Sequence, residues 1–248
     1  MKKIIWVDVG THFGQEYSSI FNSNFSFFYH LAKRFIGGKI LNRGNFVSFN
    51  GLKNILLARR EIRKQSQFFY TIFVEANPEI ISKKNIYLDA DVVFNIALLD
   101  DIQPPLSITK LYLGSGDELS QGSSVFLEKN NVHKESYVTT MGVSASVFFQ
   151  QLKLHIEEIH DDYEILLRLN CEGAEDDVIY SMYDIFGSKV TIICGSLKDV
   201  EGVKGLDAYQ KLKKFMNDKK LPFVFFSSAI DSWPKAHATI MNLLDKRR

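Results

Sequence analysis

Ile4-Ile-Trp-Val-Asp-Val-Gly-Thr-His-Phe-Gly14 opens on six residues that are apolar but for one carboxylate, and closes in a turn bounded by two glycines. A run that is apolar on both faces and rich in β-branched residues reads as a buried strand of a parallel sheet. Glycine at the strand end permits a tight turn and a close approach of backbone to a ligand. The helix expected next offers unpaired N–H groups and a partial positive charge at its N-terminus. The spacing is Asp-x-Gly-x-x-x-Gly, not the Gly-x-Gly-x-x-Gly that receives a dinucleotide pyrophosphate. A carboxylate two residues before the first glycine repels phosphate and suits an ammonium group. A purely structural strand-to-helix turn explains the motif equally well.

Working outward, Phe73-Val-Glu-Ala-Asn-Pro78 ends a second such strand, read over 72–75. A carboxylate at that place in a Rossmann-like sheet accepts hydrogen bonds from ribose hydroxyls. Its plain alternative is an ordinary polar strand end. Together the two motifs favour a nucleoside that also carries an amine, and S-adenosylmethionine is such a ligand. Glu75 follows Asp8 by 67 residues (75 − 8), against about 20 in the dinucleotide fold. An insertion is therefore expected between them, over 22–68.

The remaining strands are read over 92–96, 165–169, 190–194 and 223–226. Helices are expected around Leu206, Tyr209, Leu212 and Met216, over 176–186, and around Leu52, Ile55, Leu56 and Ile62 after an Asn50 cap. Residues 111–149 read as β-rich and loopy. Short apolar runs alternating with longer mixed segments define an α/β class, and 248 residues suit a single domain over 1–248. Hydrophobic residues make up 46%, which excludes a disordered chain. No apolar run approaches the ~18 residues of a membrane span, and Asp8 cuts short the only stretch resembling a signal peptide. A cytoplasmic protein without membrane contact is expected. Nothing in the sequence bears on oligomeric state.

The formal charge of +1 is a sum of unlike parts. Residues 33–64 hold nine bases and one acid, 9 − 1 = +8; residues 155–184 hold one base and ten acids, 1 − 10 = −9. Arg59, Arg60, Arg63 and Lys64 crowd one part of the expected insertion helix. A solvated face is the ordinary explanation; the alternative is a lid attracting an anionic acceptor or nucleic acid, with nucleic acid not favoured. Phe25-Ser-Phe-Phe-Tyr29 offers rings for stacking, although such a stretch is more often core. Two cysteines cannot form a disulfide framework, and the six histidines show no ligand spacing, so no metal is expected. His133, His155, His160 and His237 read as surface residues.

A third motif, Leu167-Arg-Leu-Asn-Cys-Glu-Gly-Ala-Glu-Asp176, places Asn170, Glu172 and Glu175 just beyond the carboxyl end of a strand, where open α/β sheets bind ligands. Clustered carboxylates there can take a proton from a substrate hydroxyl; compensation of a helix dipole is the structural alternative. In their order and strand placement, four motifs resemble the FkbM-type family of S-adenosylmethionine-dependent methyltransferases. They are Asp8-Val-Gly-Thr-His-Phe-Gly14, Val74-Glu-Ala-Asn-Pro78, Asn95-Ile-Ala-Leu98 and Arg168-Leu-Asn-Cys-Glu-Gly-Ala-Glu175. Gln121-Gly-Ser-Ser-Val-Phe126 matches the serine-containing loop that precedes the last of them.

The resemblance implies a class I methyltransferase fold, with a mostly parallel central sheet and S-adenosyl-L-methionine as cofactor. Asp8, Gly10, Thr11, His12 and Gly14 would line its methionine end; Glu75, Ala76 and Asn77 the ribose; Asn95 and Ala97 the adenine. Asn170 would complete the cofactor site, and Glu172, Glu175 and His12 would be the catalytic candidates. The implied reaction is O-methylation of a sugar or related small-molecule hydroxyl, helped chiefly by proximity and alignment. Arg168 stands where the family has lysine, Asn170 where it has aspartate, and Gly195 where relatives often carry an acid. These departures open the alternative of a cofactor-binding protein without catalysis, whose basic insertion meets a protein or nucleic-acid partner.

Overall fold

The apolar runs become strands of one sheet in the computed structural model, which describes residues 2–23, 27–29, 32, 48–101, 104–115 and 122–245. In chain order the elements are β1 (Lys3–Val9), α1 (Gln15–Phe21), α2 (Phe49–Lys64), β2 (Phe69–Val74), α3 (Pro78–Lys83), β3 (Val92–Phe94), β4 (Ala97–Leu99), β5 (Leu106–Gly114) and β6 (Val132–Ser144). There follow α4 (Ala145–Ile159), β7 (Tyr163–Leu169), α5 (Glu175–Phe186), β8 (Val190–Gly195), α6 (Lys198–Lys204), α7 (Leu206–Asp218), β9 (Phe223–Phe225) and α8 (Trp233–Asp245). Six strands form one sheet in the order β3-β2-β1-β7-β8-β9, and β4-β6-β5 form a second. β1 pairs in parallel with β2 and β7, β2 with β3, and β7 with β8. This is a Rossmann-like α/β architecture, a mostly parallel sheet flanked by helices. The strand order reverses between β1 and β7, where such sheets open a ligand crevice.

The residues group into two compact units, Met1–Phe13 with Phe69–Phe223, and Gly14–Phe68 with Val224–Arg248. In the first, Val7, Ile72, Ile165 and Leu167 from the strands meet Phe149, Leu152 and Ile156 of α4 and Val178 and Met182 of α5 in one core. Full burial of such a side chain contributes roughly 1.5–3 kcal/mol. β1 and β7 are central, which is why both are apolar on either face. Each has a buried charge at its penultimate residue, and the register sets Asp8 directly opposite Arg168.

The second unit contains α1, α2 and α8, and the expected insertion falls within it. Arg59 is buried (1% exposed) and not part of a solvated basic face. Its guanidinium donates to the carbonyls of Ser19 and Asn22 at the end of α1 and lies 4.1 Å from the centre of the Phe27 ring. Arg60, Arg63 and Lys64 are exposed. Of the basic run, 33–47 lie outside the described residues, as do Phe25 and Ser26 of the aromatic stretch. His237, expected at the surface, is fully buried, with Nδ1 2.8 Å from the Trp233 carbonyl and Nε2 3.2 Å from that of Ser19.

Three further expectations are corrected. The cap of α2 is Ser48, whose hydroxyl accepts from Gly51 N–H, not Asn50; Phe49 already belongs to the helix. The stretch read as β-rich to residue 149 turns helical at Ala145, because Phe148, Phe149, Leu152 and Ile156 place an apolar stripe at helical spacing. The third strand stops at Phe94, and Ala97–Leu99 crosses to the second sheet, paired with β6.

Candidate functional site

A solvent-open cavity of about 70 Å³ lies beyond the carboxyl ends of β1, β2 and β7, closed on other sides by β4 and by residues 122–125. Its place is the crevice where the strand order reverses. Of the residues singled out by sequence, Gly10, His12, Glu75, Ala76, Ala97, Asn170 and Glu172 line it. Asp8, Thr11, Gly14, Asn77, Asn95 and Glu175 do not.

Those outside the lining have structural work. Asp8 Oδ1 accepts from Arg168 Nη1 at 2.9 Å, and the same nitrogen donates to the Gly10 carbonyl at 2.7 Å. The carboxylate expected to meet a ligand's ammonium is thus neutralised from within the sheet. Thr11 Oγ1 donates to the Asp8 carbonyl, and Gly14 caps α1 in the left-handed region. Asn77 Oδ1 accepts from Glu79 N–H at the start of α3. Asn95 Nδ2 donates to the carbonyls of Glu75 and Ala76, holding that strand end in place.

Gly10 has φ +71°, and a Cβ there would stand 2.1 Å from the Asn170 carbonyl oxygen. The glycine serves the close approach of two strand ends. Glu75 is nearly enclosed; its Oε2 accepts from His12 N–H and its Oε1 from Asn77 N–H, both at 2.8 Å. Burial pushes its carboxyl above the usual range, opposed by those two backbone donors. A carboxylate has about four lone-pair sites, so two remain for hydroxyls entering the cavity. His12 sits at φ +53°, its carbonyl accepting from the Tyr87 hydroxyl at 2.7 Å.

On the β7 side, Glu172 is also left-handed, at φ +59°. Its carboxylate pairs with Lys129 and accepts from Asn170 Nδ2 at 3.3 Å, and its carbonyl accepts from Ser124 Oγ at 2.7 Å. Lys129 also faces Asp199 at 3.5 Å, and burial pulls its ammonium down. Glu175 is fully buried; its two oxygens accept from Glu172 and Gly173 N–H at 2.8 and 2.9 Å. Burial raises it to about 7 despite the backbone donors. It shapes the loop that presents Glu172 and touches nothing in the cavity. The Cys171 thiol, on the lining, is held well above its ordinary value by burial, reinforced by the Glu175 charge.

Lys129 and Asp199 escaped the sequence reading. The available signal was the −9 region itself, since acids packed near a strand end require cations; Lys129 and Lys204, the latter bound to Asp176 and Asp177, supply them. Compared with family models, with curated proteins and with solved structures, the chain finds no match in any of the three.

Proposed function

We propose that the cavity binds the nucleoside part of S-adenosylmethionine and that the chain is an O-methyltransferase for a sugar or related hydroxyl. The observation that carries this reading is Glu75 facing the same cavity as Asn170 and Glu172 at the sheet's switch point. The residues fit the nucleoside: Glu75 retains acceptor sites for a ribose diol, and Ile96, Ala97 and Leu98 give an apolar wall for a flat ring. They fit the amino-acid end less well, because Asp8 is spent on Arg168. That end would have to meet backbone carbonyls instead. When bound, the cofactor supplies an electrophilic methyl group on a sulfonium.

The chain's own contribution is positioning and proton handling. Glu172 is the one carboxylate of the third motif on the lining; Lys129 anchors its Oε2 and Asn170 Nδ2 donates to its Oε1, whose remaining lone pair would take the hydroxyl proton. Glu175 holds the backbone on which Glu172 rides. A second reading, cofactor binding without transfer, draws on the same observations: Asp8 and Glu175 are both consumed internally.

Calorimetric titration with S-adenosylmethionine and with NAD tests the binding. Heat is expected with the first only, weakened at least tenfold by Glu75→Ala. A folded sample giving none with S-adenosylmethionine sinks both readings. Transfer of labelled methyl into a saccharide library, reduced about 10²-fold or more by Glu172→Gln, separates the first reading from the second.

A further inference from the structure

The second sheet has its polarity reversed at its Leu106 end. Its covered face there carries Ser107, Thr109, Thr140 and Gly142, with the buried Leu111 farther along, while its solvent face carries Leu106, Ile108, Tyr137 and Met141 beside Lys110 and Thr139. Ile108 is 85% exposed and Leu106 62%. A strand that turns its apolar side chains outward is either mispatterned or built to be covered.

β5 is also the edge of that sheet. Tyr112 exchanges both backbone bonds with Ser124, at 2.8 and 3.0 Å, on the side away from β6, whereas the Pro105 carbonyl accepts from Ser144 on the β6 side. Successive residues of a strand point their N–H and C=O groups to alternate sides. The backbone groups of Leu106, Ile108 and Lys110 therefore point outward with those of Tyr112. Among the described residues nothing meets them. The open stretch is bounded on one side by Tyr112, already bonded, and on the other by Pro104, which has no N–H. Both boundaries lie four residues from Ile108.

We infer that this edge pairs with the same edge of a second copy, antiparallel, about a two-fold axis at Ile108. An edge symmetric about one residue is self-complementary, as an isologous interface requires. That register sets Leu106 opposite Lys110, Ile108 opposite Ile108 and Lys110 opposite Leu106. Each pair exchanges two bonds, about six in all. The pairing ends at Leu106 opposite Lys110, because Ser124 already occupies the outer side of Tyr112 and Pro104 has no N–H to offer. An axis one residue later would spend a pair on the sealed Tyr112 and bring the two lysines within ~7 Å along the strands. The Ile108 axis keeps them ~13 Å apart, beyond the screening length at ordinary salt. Lys110 is the one charge on β5 and its ammonium rests 3.9 Å from the centre of the Tyr137 ring, so the edge lacks the repeated charges that block pairing. The product is a six-stranded sheet with Leu106 and Ile108 of both copies side by side.

Sedimentation equilibrium of the full chain is expected to give twice the 28.4 kDa monomer mass. Ile108→Glu, at a position whose side chain contacts little, should return it to the monomer mass with unchanged far-UV circular dichroism. Register is read by cysteine cross-linking under mild oxidation. Across a hydrogen-bonded antiparallel pair the Cα atoms stand ~5.5 Å apart, within disulfide reach, so Ile108→Cys should cross-link. Leu106→Cys and Met141→Cys should not. A wild-type chain that stays monomeric overturns the inference, as does an Ile108→Glu dimer. Cross-linking through Leu106→Cys or Met141→Cys instead of Ile108→Cys overturns it equally.

Discussion

Asp8 and Arg168 stand opposite each other on adjacent parallel strands, both with side chains almost wholly buried. Removing one partner of such a pair strands the other charge in the core, at about 3–5 kcal/mol. Arg168→Met is expected to cost that much in urea denaturation followed by tryptophan fluorescence, since Trp6 Nε1 lies 3.5 Å from Asp8. Asp8→Asn combined with Arg168→Met should cost less than the two single losses added, by about 1–3 kcal/mol. Strict additivity would mean that the pair is not coupled. Sequence alone displayed both charges, each penultimate in an apolar run. It did not display their pairing, because the partners are 160 residues apart in the chain, and Asp8 was therefore assigned to a ligand. Glu175 shows the converse: its partners, Glu172 and Gly173, are close in sequence, but their N–H groups turn toward it because both residues sit at positive φ, which sequence does not display.

Elements were more legible than residues. Buried parallel strands announce themselves as unbroken apolar runs, and β1, β2, β7, β8 and β9 fall within three residues of the expected bounds. α4 was lost because Val143-Ser-Ala-Ser-Val-Phe-Phe149 carries β-branched and aromatic residues that suit a strand, and the helical period shows only with Leu152 and Ile156. The reversed face of β5 was equally hidden: alternation reveals two faces and cannot say which one is covered. Gly195, noted only as a departure from the resembled family, has a physical cause. Its φ is +143°, and a Cβ would lie 2.0 Å from the Leu169 carbonyl oxygen of the neighbouring strand. An acid cannot stand there without parting β7 from β8. Gly195→Ala is expected to destabilise by about 2 kcal/mol or more, read as a lower urea midpoint. Gly202→Ala, a helical position with open space around it, should be neutral to slightly stabilising. Equal losses at the two glycines would show that the carbonyl contact is not the cause.

At the scale of the whole molecule, the two units carry buried groups that answer acid in opposite directions. His237 in the second unit is depressed to about 4, chiefly by burial and further by the Arg59 charge, against the help of the Ser19 and Trp233 carbonyls. Between its unfolded value near 6.5 and about 4, the unfolded chain binds a proton that the folded unit refuses. Stability present above pH 6.5 is therefore lost as pH falls through that window, by on the order of 3 kcal/mol. Glu175 in the first unit is raised to about 7, so there the folded state holds the extra proton. Stability present below pH 4.5 declines as pH rises to 7, by a similar amount. A global melt averages the two and should show little net slope between pH 5 and 7. Amide hydrogen exchange resolves them: moving from pH 7 to pH 5, after correction for intrinsic rates, α2 and α8 should lose protection while β7 and α5 hold or gain it. His237→Gln should abolish the loss in α2 and α8 and leave the first unit unchanged. Parallel loss of protection in both units at pH 5 would refute the assignment, because groups of opposite sign acting on units that open separately move their protection in opposite directions.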